Sequence, residues 1–81
     1  SMRCRDMVSA LESLGFEVRD AKKQGHKIVS HDGIPDFISA SFTCGHGRNP
    51  EIKPIYVKNM RRILIDKESE ILSFLEARDE H

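Results

Sequence analysis

The chain has 81 residues, 38% hydrophobic and 32% charged, with 13 basic and 13 acidic side chains. That length holds one domain with a single modest core and no second one, and apolar runs of only a few residues exclude a membrane-spanning helix. The net charge of zero hides an asymmetry, because residues 1–65 carry 11 Lys and Arg against 7 Asp and Glu whereas residues 66–81 carry 2 against 6; a mildly basic body compatible with a nucleic-acid partner precedes an acidic tail.

Ser1 ahead of Met2 reads as an expression remnant, and the residues that follow have no apolar leader-like stretch. Arg5 to Gly15 places Met7, Ala10 or Leu11, and Leu14 at three-to-four spacing with Gly15 as a stop, which predicts an amphipathic helix. Phe16, Val18 and Ala21 alternate with Glu17, Arg19 and Asp20, a short strand that runs into the polar loop Lys22 to Gly25. Lys27 to Ser30 is the second strand, and His31-Asp32-Gly33-Ile34-Pro35 reads as a tight, solvated connection.

Phe37 to Cys44 is expected as the third strand, with Ile38, Ala40, Phe42 and Cys44 facing a core and Ser39, Ser41 and Thr43 facing water. Gly45 to Pro54 is a loop by composition. From Ile55 a helix carries Val57, Met60, Ile63 and Leu64 on one stripe and Lys58, Arg61 and Arg62 on another. After the polar run 66–70, Ile71, Leu72, Phe74 and Leu75 resume a helical stripe, as one continuous helix or as a third one after a break near Asp66. The order predicts an α+β fold with a three-stranded antiparallel sheet covered by helices on one face. It is a single domain, with a core of residues 1–65 and an acidic helical extension over 66–81.

Cys4 and Cys44 are too few for a disulfide-stapled scaffold and neither has a CxxC partner, which points to a reducing, cytoplasmic compartment. Cys44, His46, His26 and His31 match no recognised zinc spacing, so no metal is expected. The stretch that attracts attention is 24–33: Gly25 directly before His26, a β-like run through Ile28 and Val29, then His31 and an Asp32-Gly33 turn. It puts a titratable imidazole where a loop enters a strand.

These features in this order resemble the HicA family of bacterial toxin ribonucleases. The Leu-x-x-x-Gly-Phe end of that family's first helix is similar to Leu11-Glu12-Ser13-Leu14-Gly15-Phe16. Its Gly-x-His strand entry is similar to the stretch from Gly25 and His26 to Gly33. Its later His-Gly step, Lys-Pro and Arg-x-Ile-Leu core are similar to His46-Gly47, Lys53-Pro54 and Arg61-Arg62-Ile63-Leu64. The likeness covers about Arg5 to Leu64; Gly25 abuts His26 where family members usually keep one or two residues between them, and Cys44-Gly45 stands where they commonly have Pro.

The resemblance implies an α-β-β-β-α fold like the double-stranded-RNA-binding domain and cleavage of mRNA without metal or other cofactor. It assigns the general base to His26 and inhibition to a HicB-like antitoxin. An imidazole that titrates near neutrality can take the proton from a ribose 2′-OH. Lys22, Lys23 and Lys27 are the local cations for the phosphate, and His46, Lys58, Arg61 and Arg62 are further candidates for RNA contact. Two other readings stand beside this one: a non-catalytic RNA-binding module of the same fold, and a protein-interaction domain that uses the stripe Ile71, Leu72 and Leu75.

Overall fold

The computed structural model describes residues 2–79, so Ser1 and the last two residues of the acidic extension lie outside it. Six elements follow one another: α1 (Cys4–Ser13), β1 (Glu17–Asp20), β2 (His26–Ser30), β3 (Ala40–Thr43), α2 (Pro54–Asp66) and α3 (Glu68–Asp79). The strands form an antiparallel sheet in the order β1-β2-β3, and no helix among the described residues is long and apolar enough to cross a membrane.

Local chemistry explains the ends of the elements. Gly15 sits at φ 92° just past α1, where its N–H donates to the Glu12 carbonyl (3.0 Å) and the Phe16 N–H donates to Leu11 (3.1 Å). This paired closure of a helix C-terminus is available to glycine because it lacks a Cβ. Pro54 opens α2 at a position where its missing N–H costs nothing.

The pairs Val18↔Val29 and Lys27↔Phe42 set the register. Alternation along the strands then divides the sheet into two faces. Val29 and Phe42 lie on one face and join Met7, Leu11, Met60 and Ile71 in a single core, so all three helices cover that side. His26, Ile28 and Ser30 of β2, with Ser41 and Thr43 of β3, lie on the other face, which no helix covers.

Three expectations are corrected. The third strand is shorter than Phe37 to Cys44, and Ile38, expected inside, is 91% exposed. Pairing with β2 begins only at Ala40, and the segment before it is held by Phe37, whose N–H donates to Ile34 (3.0 Å) and whose ring meets Phe16 edge-on. Ile38 is left pointing outward.

His31, expected in water, is 4% exposed. Its ring stands edge-on between Phe16 and Phe74, at 4.7 Å from each. Gly33 donates its N–H to Nδ1 (3.0 Å), which leaves Nε2–H to donate to the Leu14 carbonyl (3.0 Å). Both ring nitrogens are therefore satisfied, as burial of a polar ring requires.

Cys4 and Cys44, expected as separate thiols, form a disulfide with their Cα atoms 5.7 Å apart. Arg3 bridges Glu51 and Cys44 bridges Ile52 in two isolated β-contacts that bring the start of α1 to the end of β3. Forty positions of sequence separate the two cysteines, so their proximity is a product of the fold alone.

The helical extension is a third helix, broken from α2 at Lys67. Its stripe serves this chain's own core: Ile71 is buried, Leu75 packs against the core and Phe74 stands against the buried His31 ring, while Leu72 is 52% exposed. Two polar ties hold α3 in place. Lys67 donates to Asp36 (2.9 Å), and Arg78 donates to the Ser13 carbonyl (3.3 Å) while lying over the Phe74 ring.

Candidate functional site

The site is built from a turn and a register. Residues 22–25 reverse the chain between β1 and β2, and Gly25 at φ 82° makes the entry possible. Its carbonyl accepts the Cys44 N–H at 2.8 Å, and a Cβ at this position would come within 2.7 Å of the Cys44 carbonyl oxygen. A side chain is thus excluded immediately before His26. The His26 backbone is held on both sides, its N–H donating to Lys23 (3.1 Å) and its carbonyl accepting from Ala21 (2.9 Å).

That backbone directs the half-buried His26 side chain onto the open sheet face, opposite Thr43 in the β2–β3 register. Nδ1 and Thr43 Oγ1 are 3.2 Å apart. Among the described residues the other nitrogen, Nε2, has no hydrogen-bond partner, so its lone pair or proton is not committed within the fold. An imidazole anchored through one nitrogen and open at the other suits acid–base work.

The remaining candidates divide by position. Lys22 and Lys23 are exposed in the turn that leads into His26, and neither forms an ion pair among the described residues. Lys27 follows His26 in an extended strand, so it emerges on the opposite face, where it pairs with Asp20. It is neither beside the imidazole nor an uncompensated charge. His46 is exposed and lines a depression of about 320 Å³ with Thr43, Glu51, Lys53 and Tyr56.

Lys58 and Arg61 border a separate apolar hollow with Met2, Ile52 and Val57. Arg62 donates to Asn59 (3.1 Å) and flanks the β3 edge near Ala40 and Ser41. The turn lysines, His26 and Thr43 thus belong to one end of the sheet, with His46 next to Thr43, whereas the α2 cations spread over other surfaces.

Cys44 is committed to its disulfide and His31 is enclosed, so the imagined set of Cys44, His46, His26 and His31 does not converge. Among the described residues no other group of three potential ligands does. Sequence reasoning missed Thr43, Lys53 and Tyr56. Thr43 becomes visible only when the register pairs it with His26, Lys53 entered only as part of the Lys53-Pro54 step, and no local pattern marks Tyr56.

No protein-family model matches this chain, and comparison with curated proteins and with solved structures finds no match.

Proposed function

We propose that this protein is a small, metal-independent endoribonuclease of HicA type, with a fold like the double-stranded-RNA-binding domain and His26 as its general base. The observation that carries this reading is the placement of His26: on an uncovered sheet face, anchored through Nδ1 beside Thr43, with Nε2 unpartnered among the described residues. The sequence likeness from Arg5 to Leu64 supports it.

In the reaction, Nε2 takes the proton of a ribose 2′-OH, the 2′ oxygen bonds to the adjacent phosphorus, and the bond from phosphorus to the 5′ oxygen breaks. The 5′ oxygen takes a proton from water, whose hydroxide is neutralised by the proton that Nε2 then releases, leaving a 2′,3′-cyclic phosphate, a 5′-hydroxyl end and the imidazole restored. Lys22 and Lys23 supply positive charge for the phosphoryl oxygens as they become more negative, and general-base help of this kind is worth ~10²–10⁴-fold. The cognate inhibitor would be a HicB-like antitoxin that covers the basic surface around the turn.

A cleavage assay on single-stranded RNA decides the matter. The parent should cut, in EDTA as well as without it, and His26→Ala should not; equal rates for the two proteins would refute the assignment. A second reading, RNA binding without cleavage, draws on the placement of Lys27 on the opposite face in its pair with Asp20, which leaves the turn lysines as the cations near the imidazole. Retention of RNA by the parent with no turnover would favour it.

A further inference from the structure

We propose that Thr43 is the positioning residue of His26: its hydroxyl oxygen accepts the Nδ1–H hydrogen and thereby leaves Nε2 as the unprotonated nitrogen facing the open side of the sheet. The role given to Nε2 rests on the ribonuclease reading, whereas the tautomer is a property of the free protein and can be observed without substrate.

The contact is set by the sheet. His26 and Thr43 are directly opposed in the β2–β3 register, and Nδ1 lies 3.2 Å from Oγ1. Gly25 and Cys44 join the two strands by a backbone hydrogen bond one residue away, and the Cys4–Cys44 disulfide holds the residue that follows Thr43. A threonine hydroxyl can donate or accept. If it donated to Nδ1, Nε2 would carry the hydrogen and the outward nitrogen could not take a proton. As acceptor it fixes the ring plane and the tautomer together, so the free lone pair is aimed before substrate arrives.

His31 supplies an internal contrast. There a backbone N–H feeds Nδ1 and forces the hydrogen onto Nε2, where the Leu14 carbonyl receives it. Two histidines five positions apart are thus held in opposite tautomers by their partners, one for reaction and one for packing.

Long-range ¹H–¹⁵N correlation spectra above neutral pH read both rings in one sample. The parent should show His26 as the Nδ1–H form and His31 as the Nε2–H form. Thr43→Val, close in shape and also β-branched, should shift His26 toward the Nε2–H form that a free imidazole prefers, and Thr43→Ser should keep the parent pattern. In the cleavage assay Thr43→Val should lower kcat about tenfold, the scale of one lost hydrogen bond, with KM little changed, and Thr43→Ser should recover most of the loss.

A purely structural role would order the variants the other way, because valine suits a strand better than serine does. A parent spectrum with His26 as Nε2–H, or a Thr43→Val protein that keeps the parent tautomer, overturns the proposal. The spectrum judges the Thr43 contact, and the rate of His26→Ala judges the ribonuclease reading, so the two can fail separately.

Discussion

The two ends of β2 treat the same side chain in opposite ways. At one end His26 lies on the uncovered face with one ring nitrogen beside Thr43 and the other unpartnered among the described residues; just past the other end His31 is enclosed by Phe16 and Phe74 with both nitrogens bonded. An odd spacing of five residues directs the two rings to opposite sides of the strand line. The difference teaches that a histidine's surroundings here follow from what covers it: α3 closes over His31, and none of the three helices closes over His26.

The sharpest break in this comparison is chemical. His26→Ala should lower RNA cleavage by ~10²–10⁴-fold while the urea midpoint stays at the parent value, since the ring contributes little to the core. A fall in stability as large as the fall in rate would mean that His26 is a structural residue like His31.

The disulfide belongs to the His26 end, because Cys44 follows Thr43. Replacing Cys4 and Cys44 by serine should destabilise the protein by about 4 kcal/mol on the chain-entropy account of a loop this long, measured by urea unfolding of parent and variant without reductant. The same substitutions should loosen the strand end that carries Thr43 and reduce cleavage in the folded protein. An unchanged urea midpoint would show that the cross-link constrains nothing.

His31→Ala should give the reverse of His26→Ala. Losing two hydrogen bonds and an edge-on aromatic stack, and orphaning the Leu14 carbonyl and the Gly33 N–H, should cost roughly 3 kcal/mol. Cleavage per folded molecule should be retained at temperatures below the lowered Tm. A His31→Ala protein that melts like the parent would contradict the buried, fully bonded ring.

The smallest expected effect is the tie that holds α3's starting point near the His31 end. The hydrogen bond from Lys67, and then its charge, hold the Asp36 carboxyl below its ordinary 3.8. The same bond raises the Lys67 ammonium above its ordinary 10.5, against the opposing effect of burial. For Asp36 the lowered value means stability that is present above the ordinary carboxylate range and lost as pH falls through the folded value. For Lys67 the raised value means stability that is present below the ordinary ammonium range and lost as pH rises through the folded value. Asp36→Asn should therefore lower Tm slightly between those limits and leave it unchanged in acid, where the parent's carboxyl is also neutral; a Tm difference that persists in acid would show that the ion pair is not its source.

Much of the fold was legible along the chain. The three-to-four spacing of Met7, Leu11 and Leu14 with its Gly15 stop, the alternation of Ser41, Phe42 and Thr43, and the stripe Val57, Met60, Ile63 and Leu64 are local signals, and local signals survive in one dimension. Of the site, the turn glycine and His26 were visible, because Gly25 beside a β-like run marks a strand entry.

Partnership was not legible. The pairing of Cys4 with Cys44 spans forty positions, the His26–Thr43 contact needs the strand register, and the burial of His31 needs α3 to return across the molecule. Ile38 obeyed the alternation and still faces water, because β2 leaves the ladder before reaching it. By itself the sequence determined the element order and the two-faced sheet, since these follow from periodicity and turn chemistry. Only the tertiary structure decided which histidine is enclosed and which is open, because burial depends on elements that arrive from elsewhere in the chain.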